Sequence, residues 1–93
     1  MDRTIWKYTL SLVDYVDIEM PTGARILSVG IQNEQICLWA LVDPEKTAAK
    51  YRFRIAGTGH PIGKEAENWD FVGTVIMMNG ALVFHVFHLC CII

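Results

Sequence analysis

Tyr51-Arg-Phe-Arg-Ile-Ala-Gly-Thr-Gly-His-Pro-Ile-Gly63 is the stretch whose reading sets the architecture. Side chains alternate along an extended chain, so Tyr51, Phe53 and Ile55 share one face and Arg52 and Arg54 the other. That pattern is a half-buried strand with two guanidiniums on its polar side. The strand then breaks at Gly57-Thr58-Gly59-His60-Pro61. Glycine permits positive φ and lets another group approach bare backbone, and Pro61 holds His60 extended. A strand projecting two guanidiniums and ending in exposed amides suits an anion.

Working outward, strand follows strand. Asn79-Gly80 between two apolar runs is the strongest short-range hairpin signal, and a two-residue turn there sets Thr74 opposite His85. Asn33-Glu34 marks a second hairpin, between residues 24–32 and 36–42, whose register places Ser28 opposite Trp39 and leaves room at Gly30 for the indole. Thr4–Leu10 alternates as a half-buried strand, residues 15–19 do the same, and Met20-Pro21-Thr22-Gly23 has the composition of a turn. Residues 43–50 form a charged connection with one helical turn, Asp43 as its cap and Pro44 at its first position. Residues 63–70 are a polar loop carrying Trp69. The expected fold is all-β: residues 1–93 as one domain, a compact seven-stranded sandwich or barrel of antiparallel hairpins. The strand in residues 82–89 is apolar on both faces, as is that in 36–42. Since a small sandwich covers one face of each sheet, the second cover is expected to be another copy of the chain, a homo-oligomer.

Composition narrows the function classes. The 93 residues are 53% hydrophobic with a net charge of −2. That balance argues against a nucleic-acid binder, which needs a basic surface to displace counterions. No apolar run reaches the ~20 residues of a membrane-spanning helix, so no membrane partner is expected. Cys37, Cys90 and Cys91 are odd in number and include no Cys-x-x-Cys, which gives no metal site and fits a reduced, cytoplasmic setting. No cofactor motif is present.

Ile5-Trp-Lys-Tyr8, Met20-Pro-Thr-Gly-Ala24, Leu38-Trp-Ala-Leu-Val-Asp-Pro44, Phe53-Arg-Ile55, Gly57-Thr-Gly-His-Pro-Ile62 and Gly80-Ala-Leu-Val-Phe-His-Val-Phe87 together resemble a family of small phage and prophage proteins of unknown function. The resemblance runs over nearly the whole chain; the tail His88-Leu-Cys-Cys-Ile-Ile93 departs from it. It implies a phage-encoded accessory protein acting in the cytoplasm of the infected bacterium. Small oligomeric phage proteins of this size are similar, by analogy, to sponges that soak up the nucleotide signals of immune systems such as Thoeris and CBASS.

Candidate ligand-binding residues are Arg54 and Arg52, Gly57, Thr58 and Gly59, His60, and the aromatics Trp6 and Trp69. Arg54 ranks first because it lies nearer the glycine break; the competing reading is a solvated face ion-paired to Glu19, Glu65 or Glu67. For the glycines the competing reading is a tight turn. His85 reads as a neutral histidine bonded to Thr74 or backbone. No nucleophile elbow or triad context surrounds the histidines, so no catalytic residue is assigned. The leading expectation is a non-enzymatic, oligomeric protein that sequesters a small anionic nucleotide-derived ligand to counter host defence. Its rival is a protein–protein inhibitor or assembly module. A hydrolase using His60 and His85 stands third.

Overall fold

The structure, a computed structural model, describes residues 2–92, with side chains for residues 2–90. Seven strands occur among them: β1 (Thr4–Leu10), β2 (Tyr15–Pro21), β3 (Arg25–Gln32), β4 (Gln35–Val42), β5 (Ala48–Gly57), β6 (Asp70–Met77) and β7 (Leu82–Ile92). They form two antiparallel sheets, three strands in the order β1-β4-β3 and four in the order β2-β5-β7-β6. The sheets stack as a sandwich, and the barrel alternative falls away because they do not close into a ring. Between them lie Leu10, Ile36, Leu38, Ala40 and Val42 from one sheet and Met20, Tyr51, Phe53, Ile55, Val75 and Val86 from the other. One seam is tight: β3 meets β6 so closely that a Cβ on Gly73 would lie 2.9 Å from Val29 Cγ1.

The β3–β4 hairpin forms as its turn chemistry directs. Asn33 and Glu34 both take positive φ, 53° and 62°, the two left-handed residues of a type I′ turn. Ser28 pairs with Trp39, and a Cβ on Gly30 would stand 3.4 Å from the indole. Leu27 is the extra residue of a bulge. In the β6–β7 hairpin Thr74 does face His85, yet the connection differs from the expected two residues. Met78, Asn79 and Gly80 all take positive φ and pairing begins at Met77 and Leu82, a four-residue connection that keeps the register.

Three local expectations change. β2 runs on through Met20 and Pro21, which pair with Ala49 and Ala48; β2 is an edge strand, so the missing amide of Pro21 costs no ladder bond. Residues 43–46 make a β-turn and not a helical turn: the Lys46 amide donates to the Asp43 carbonyl and the Glu45 amide to Asp43 Oδ1, both at 3.1 Å. Residues 64–68 within the polar loop coil into a 3₁₀ turn. The outer face of β7 is covered within the chain at Phe87, while Val83 and Leu89 stay half-exposed. Phe87 points away from the core, where Trp69 and Phe71 pack on it with ring centroids 6.0 and 5.4 Å away. On the three-stranded sheet the outer residues Trp39 and Leu41 are only half-buried, with Ile5, the partner of Leu41, exposed beside them.

Candidate functional site

The outer face of the four-stranded sheet gathers most of the candidate residues. Alternation along β5 buries Tyr51, Phe53 and Ile55 and turns Arg52 and Arg54 outward, and β2 pairs Asp17 with Arg52 and Tyr15 with Arg54. Arg52 Nε and Nη2 donate to the two oxygens of Asp17 at 2.8 and 3.0 Å. This side-on bidentate geometry is the strong form of the pair. The hydrogen bond from Arg52 holds the Asp17 carboxyl below the usual aspartate range and pushes the guanidinium of Arg52 up.

Arg54 sits differently from its expected exposed place. It is 8% exposed, lies 5.0 Å beneath the Tyr15 ring, and bonds through Nη1 to Asp14 Oδ1 at 3.1 Å and to the carbonyls of Ile55 at 3.2 Å and Asp14 at 3.4 Å. It ties the β1–β2 connection and Tyr15 to the sheet. The carboxylates facing the two arginines are therefore Asp17 and Asp14, from β2 and the connection before it, and not Glu19, Glu65 or Glu67.

Beside Arg52 opens a cleft of about 610 Å³ lined by Tyr15, Asp17, Arg52, Glu65, Trp69 and Leu89. The 3₁₀ turn builds its far wall, carrying Glu65 and ending at Trp69. Gly63 starts that turn at φ 92°, where a Cβ would strike the Glu65 carboxylate at 2.9 Å. Two aromatic walls, one forked cation and two carboxylates give the cleft the means to stack a ring, accept hydrogen bonds from hydroxyls and donate to an anion.

The glycine break lines neighbouring hollows. Residues 57–60 form a turn closed by the His60 amide donating to the Gly57 carbonyl at 3.2 Å, with Gly59 at φ 86°. The His60 ring folds back so far that a Cβ on Gly57 would come within 2.9 Å of it, so both glycines serve the turn. Thr58 Oγ1 and Thr74 Oγ1 hold the two ring nitrogens of His85, at 2.7 Å on Nε2 and 2.9 Å on Nδ1. Gly57, Thr58, Gly59 and His60 line a hollow of about 190 Å³ with Ala56, Ile62, His85 and Phe87.

The fold thus brings Arg52 and Trp69 into one cleft, buries Arg54 next to it, and sets Gly57, Thr58, Gly59 and His60 at the adjoining hollow. Trp6 goes elsewhere. It belongs to the three-stranded sheet and lines a separate hollow with Tyr8, Glu19, Met20, Pro21, Pro44, Lys46 and Ala48. Nothing in the local sequence marks Tyr15, Asp17, Glu65 or Leu89 as walls of one cleft. Alternation in residues 15–19 put Asp17 and Tyr15 on one face, but only the β2–β5 pairing shows which face they join.

Among the described residues, no group of three His, Cys, Asp or Glu is placed to hold a metal ion, and no helix is long and apolar enough to cross a membrane. Cys90 is exposed and pairs with Arg52 across the β5–β7 ladder; the side chain of Cys91 lies outside the described residues. No curated protein and no solved structure matches the chain. A family model described as a domain of unknown function (DUF7352) matches residues 1–90, and the chain belongs to that family.

Proposed function

We propose that the chain is a non-enzymatic binding protein that captures a small, nucleotide-derived anionic ligand in the Tyr15–Arg52–Trp69 cleft. One observation carries this reading: two aromatic rings and a forked guanidinium surround a space of about 610 Å³, within the size range of small-molecule sites. Trp69 and Tyr15 stack the base. Asp17 and Glu65 accept from ribose hydroxyls. Arg52, with Nε and Nη2 engaged by Asp17, keeps its Nη1 donors for an anionic oxygen. With two carboxylates against one guanidinium, the cleft favours a nucleoside bearing few phosphates over a highly charged one.

On the resemblance to phage proteins, the reading extends to sequestration of an immune signalling nucleotide in the cytoplasm of an infected bacterium. A homo-oligomer belongs to the same proposal. The outer face of the three-stranded sheet supports it, where Ile5 lies exposed beside Trp39 and Leu41 and no strand of that sheet carries a carboxylate.

A second reading, binding of a host or phage protein, is favoured by Phe71 and Ile76, exposed by 58% and 61% on the β6 edge of the four-stranded sheet. One experiment separates the two. A thermal shift screen against nucleotides and cyclic ADP-ribose isomers raises the melting temperature if a ligand binds the native state. A hit on wild type that vanishes in Trp69→Ala supports capture; no hit, with a protein retained in a pull-down and released by Phe71→Ser, supports the second reading.

A further inference from the structure

Arg54 holds a buried charge that its neighbours use only in part. Among the described residues every hydrogen bond it makes leaves from Nη1. Its Nε–H is buried and has no partner. Nε and Nη2 make the side-on edge through which Arg52 grips Asp17, yet on Arg54 that edge is empty. A buried charged donor without an acceptor is costly, and native proteins leave few such groups without a role. An oxyanion is the natural complement of that edge, since its two oxygens match the parallel N–H bonds.

Arg54 itself lines neither neighbouring cavity; its strand partners do. Arg54 pairs with Tyr15 on one side, a wall of the large cleft, and with Phe87 on the other, a wall of the hollow holding residues 57–60. The cover over the guanidinium is the Tyr15 ring at 5.0 Å, itself 50% exposed. A single cation–π contact at such a site is weaker than a bidentate charge-assisted pair, so the ring is the piece that yields. Asp14, the ion-pair partner on Nη1, has an 84% exposed side chain and draws little from the pair.

We infer that the Nε–Nη2 edge of Arg54 is the seat of one phosphoryl oxyanion, reached by displacing the Tyr15 ring, between the cleft and the glycine turn. The inference deepens the capture reading above and rests on it for the rest of the ligand. The two arginines then divide the work: Arg52, gripped by Asp17 through Nε and Nη2, offers the ligand only its Nη1 donors, and Arg54 offers a fork.

The arginine Nε–H resonances of the full chain, followed by proton–nitrogen NMR, test it. Inorganic pyrophosphate is titrated at constant ionic strength, with adenosine monophosphate as a second arm to separate a free anion from a nucleotide phosphate. The expected result is a saturable downfield movement of the Arg54 Nε–H, with the Arg52 Nε–H, already bonded, nearly still. Response to both probes marks a general phosphoryl seat, and response to the nucleotide alone marks one completed by the cleft. Absence of a saturable shift at Arg54 with either probe, or an equal shift at Arg52, overturns the inference. Tyr15→Ala, which removes the cover and leaves the guanidinium, tightens pyrophosphate binding severalfold if the inference holds and leaves it unchanged otherwise. The two readings fail separately: nucleotide binding that depends on Trp69 with a still Arg54 signal leaves the cleft and removes the seat. A moving Arg54 signal, with nucleotide binding indifferent to Trp69→Ala, does the reverse.

Discussion

Arg54→Ala destabilises the fold, whereas Arg52→Ala scarcely does, although the two arginines share a strand and a face. For Arg52 the pair with Asp17 has side chains 43% and 35% exposed, so solvent screens it and its loss costs little. Arg54 is buried, and its removal disturbs more. The Ile55 carbonyl, bonded to Nη1 in a buried setting, loses that donor, worth roughly 1–3 kcal/mol. The Tyr15 ring loses its cation, roughly 0.5–1 kcal/mol. Release of the unpartnered Nε returns roughly 1 kcal/mol, and loss of the buried aliphatic stem adds about 1–2 kcal/mol. The net is a loss of about 3 kcal/mol. For a chain of this length each kcal/mol moves the melting temperature by ~4–8 °C, so a fall of about 12–24 °C is expected. Urea denaturation with matched m-values, read by circular dichroism, gives the free energies directly. Arg54→Met restores the stem and recovers about half. Equal losses below about 0.5 kcal/mol at both arginines would refute the burial argument, because that is how exposed charges behave.

Glu34→Gly should stabilise by about 0.5–1 kcal/mol, since Glu34 holds φ 62° in an exposed type I′ turn where glycine is free of the Cβ clash; an unchanged or lower melting temperature counts against the turn geometry. Acid sensitivity follows from Asp17, whose folded carboxyl titrates below the ordinary value of 3.8. Its contribution is complete above that unfolded value and is lost as the pH falls through the lower folded one, so Asp17→Asn should flatten the stability profile below pH 3.8 and lower stability at neutral pH. A profile unchanged by Asp17→Asn would dismiss the pair as energetically idle. Sedimentation at micromolar concentration should give a species heavier than 10.5 kDa, reduced by Leu41→Lys on the outer face of the three-stranded sheet; a single 10.5 kDa species removes the oligomer from the proposal.

Local chemistry made the strands and two registers legible. Asn33 with its flanking alternation was enough to put Ser28 against Trp39 and Gly30 beneath the indole, because hairpin partners are neighbours in sequence. The site depended on partners that are not. β2 joins β5 across 27 to 39 residues, and nothing in residues 15–19 alone points to Arg52 or Arg54. Alternation gave the face that Arg54 occupies but not its cover, which is Tyr15 from another strand. The apolar outer face of β7 suggested a second copy for the same reason. The cover arrives from Trp69 and Phe71, at the end of a polar loop whose path the sequence leaves open. At the glycine break the geometry is that of a turn, since Gly57 is crowded by His60 and Gly59 sits at positive φ.

The proposed capture of an unaltered ligand in the Trp69 cleft is tested by incubating the protein with the nucleotide found in the thermal screen, removing free ligand by filtration, denaturing the protein and identifying what is released by mass spectrometry. The ligand should come back intact, one per cleft. Retention should fall about 5- to 150-fold in affinity for Trp69→Ala, as loss of a stacking contact of ~1–3 kcal/mol implies. Ligand released in altered form, or intact ligand retained equally by Trp69→Ala and Arg52→Ala, would contradict it.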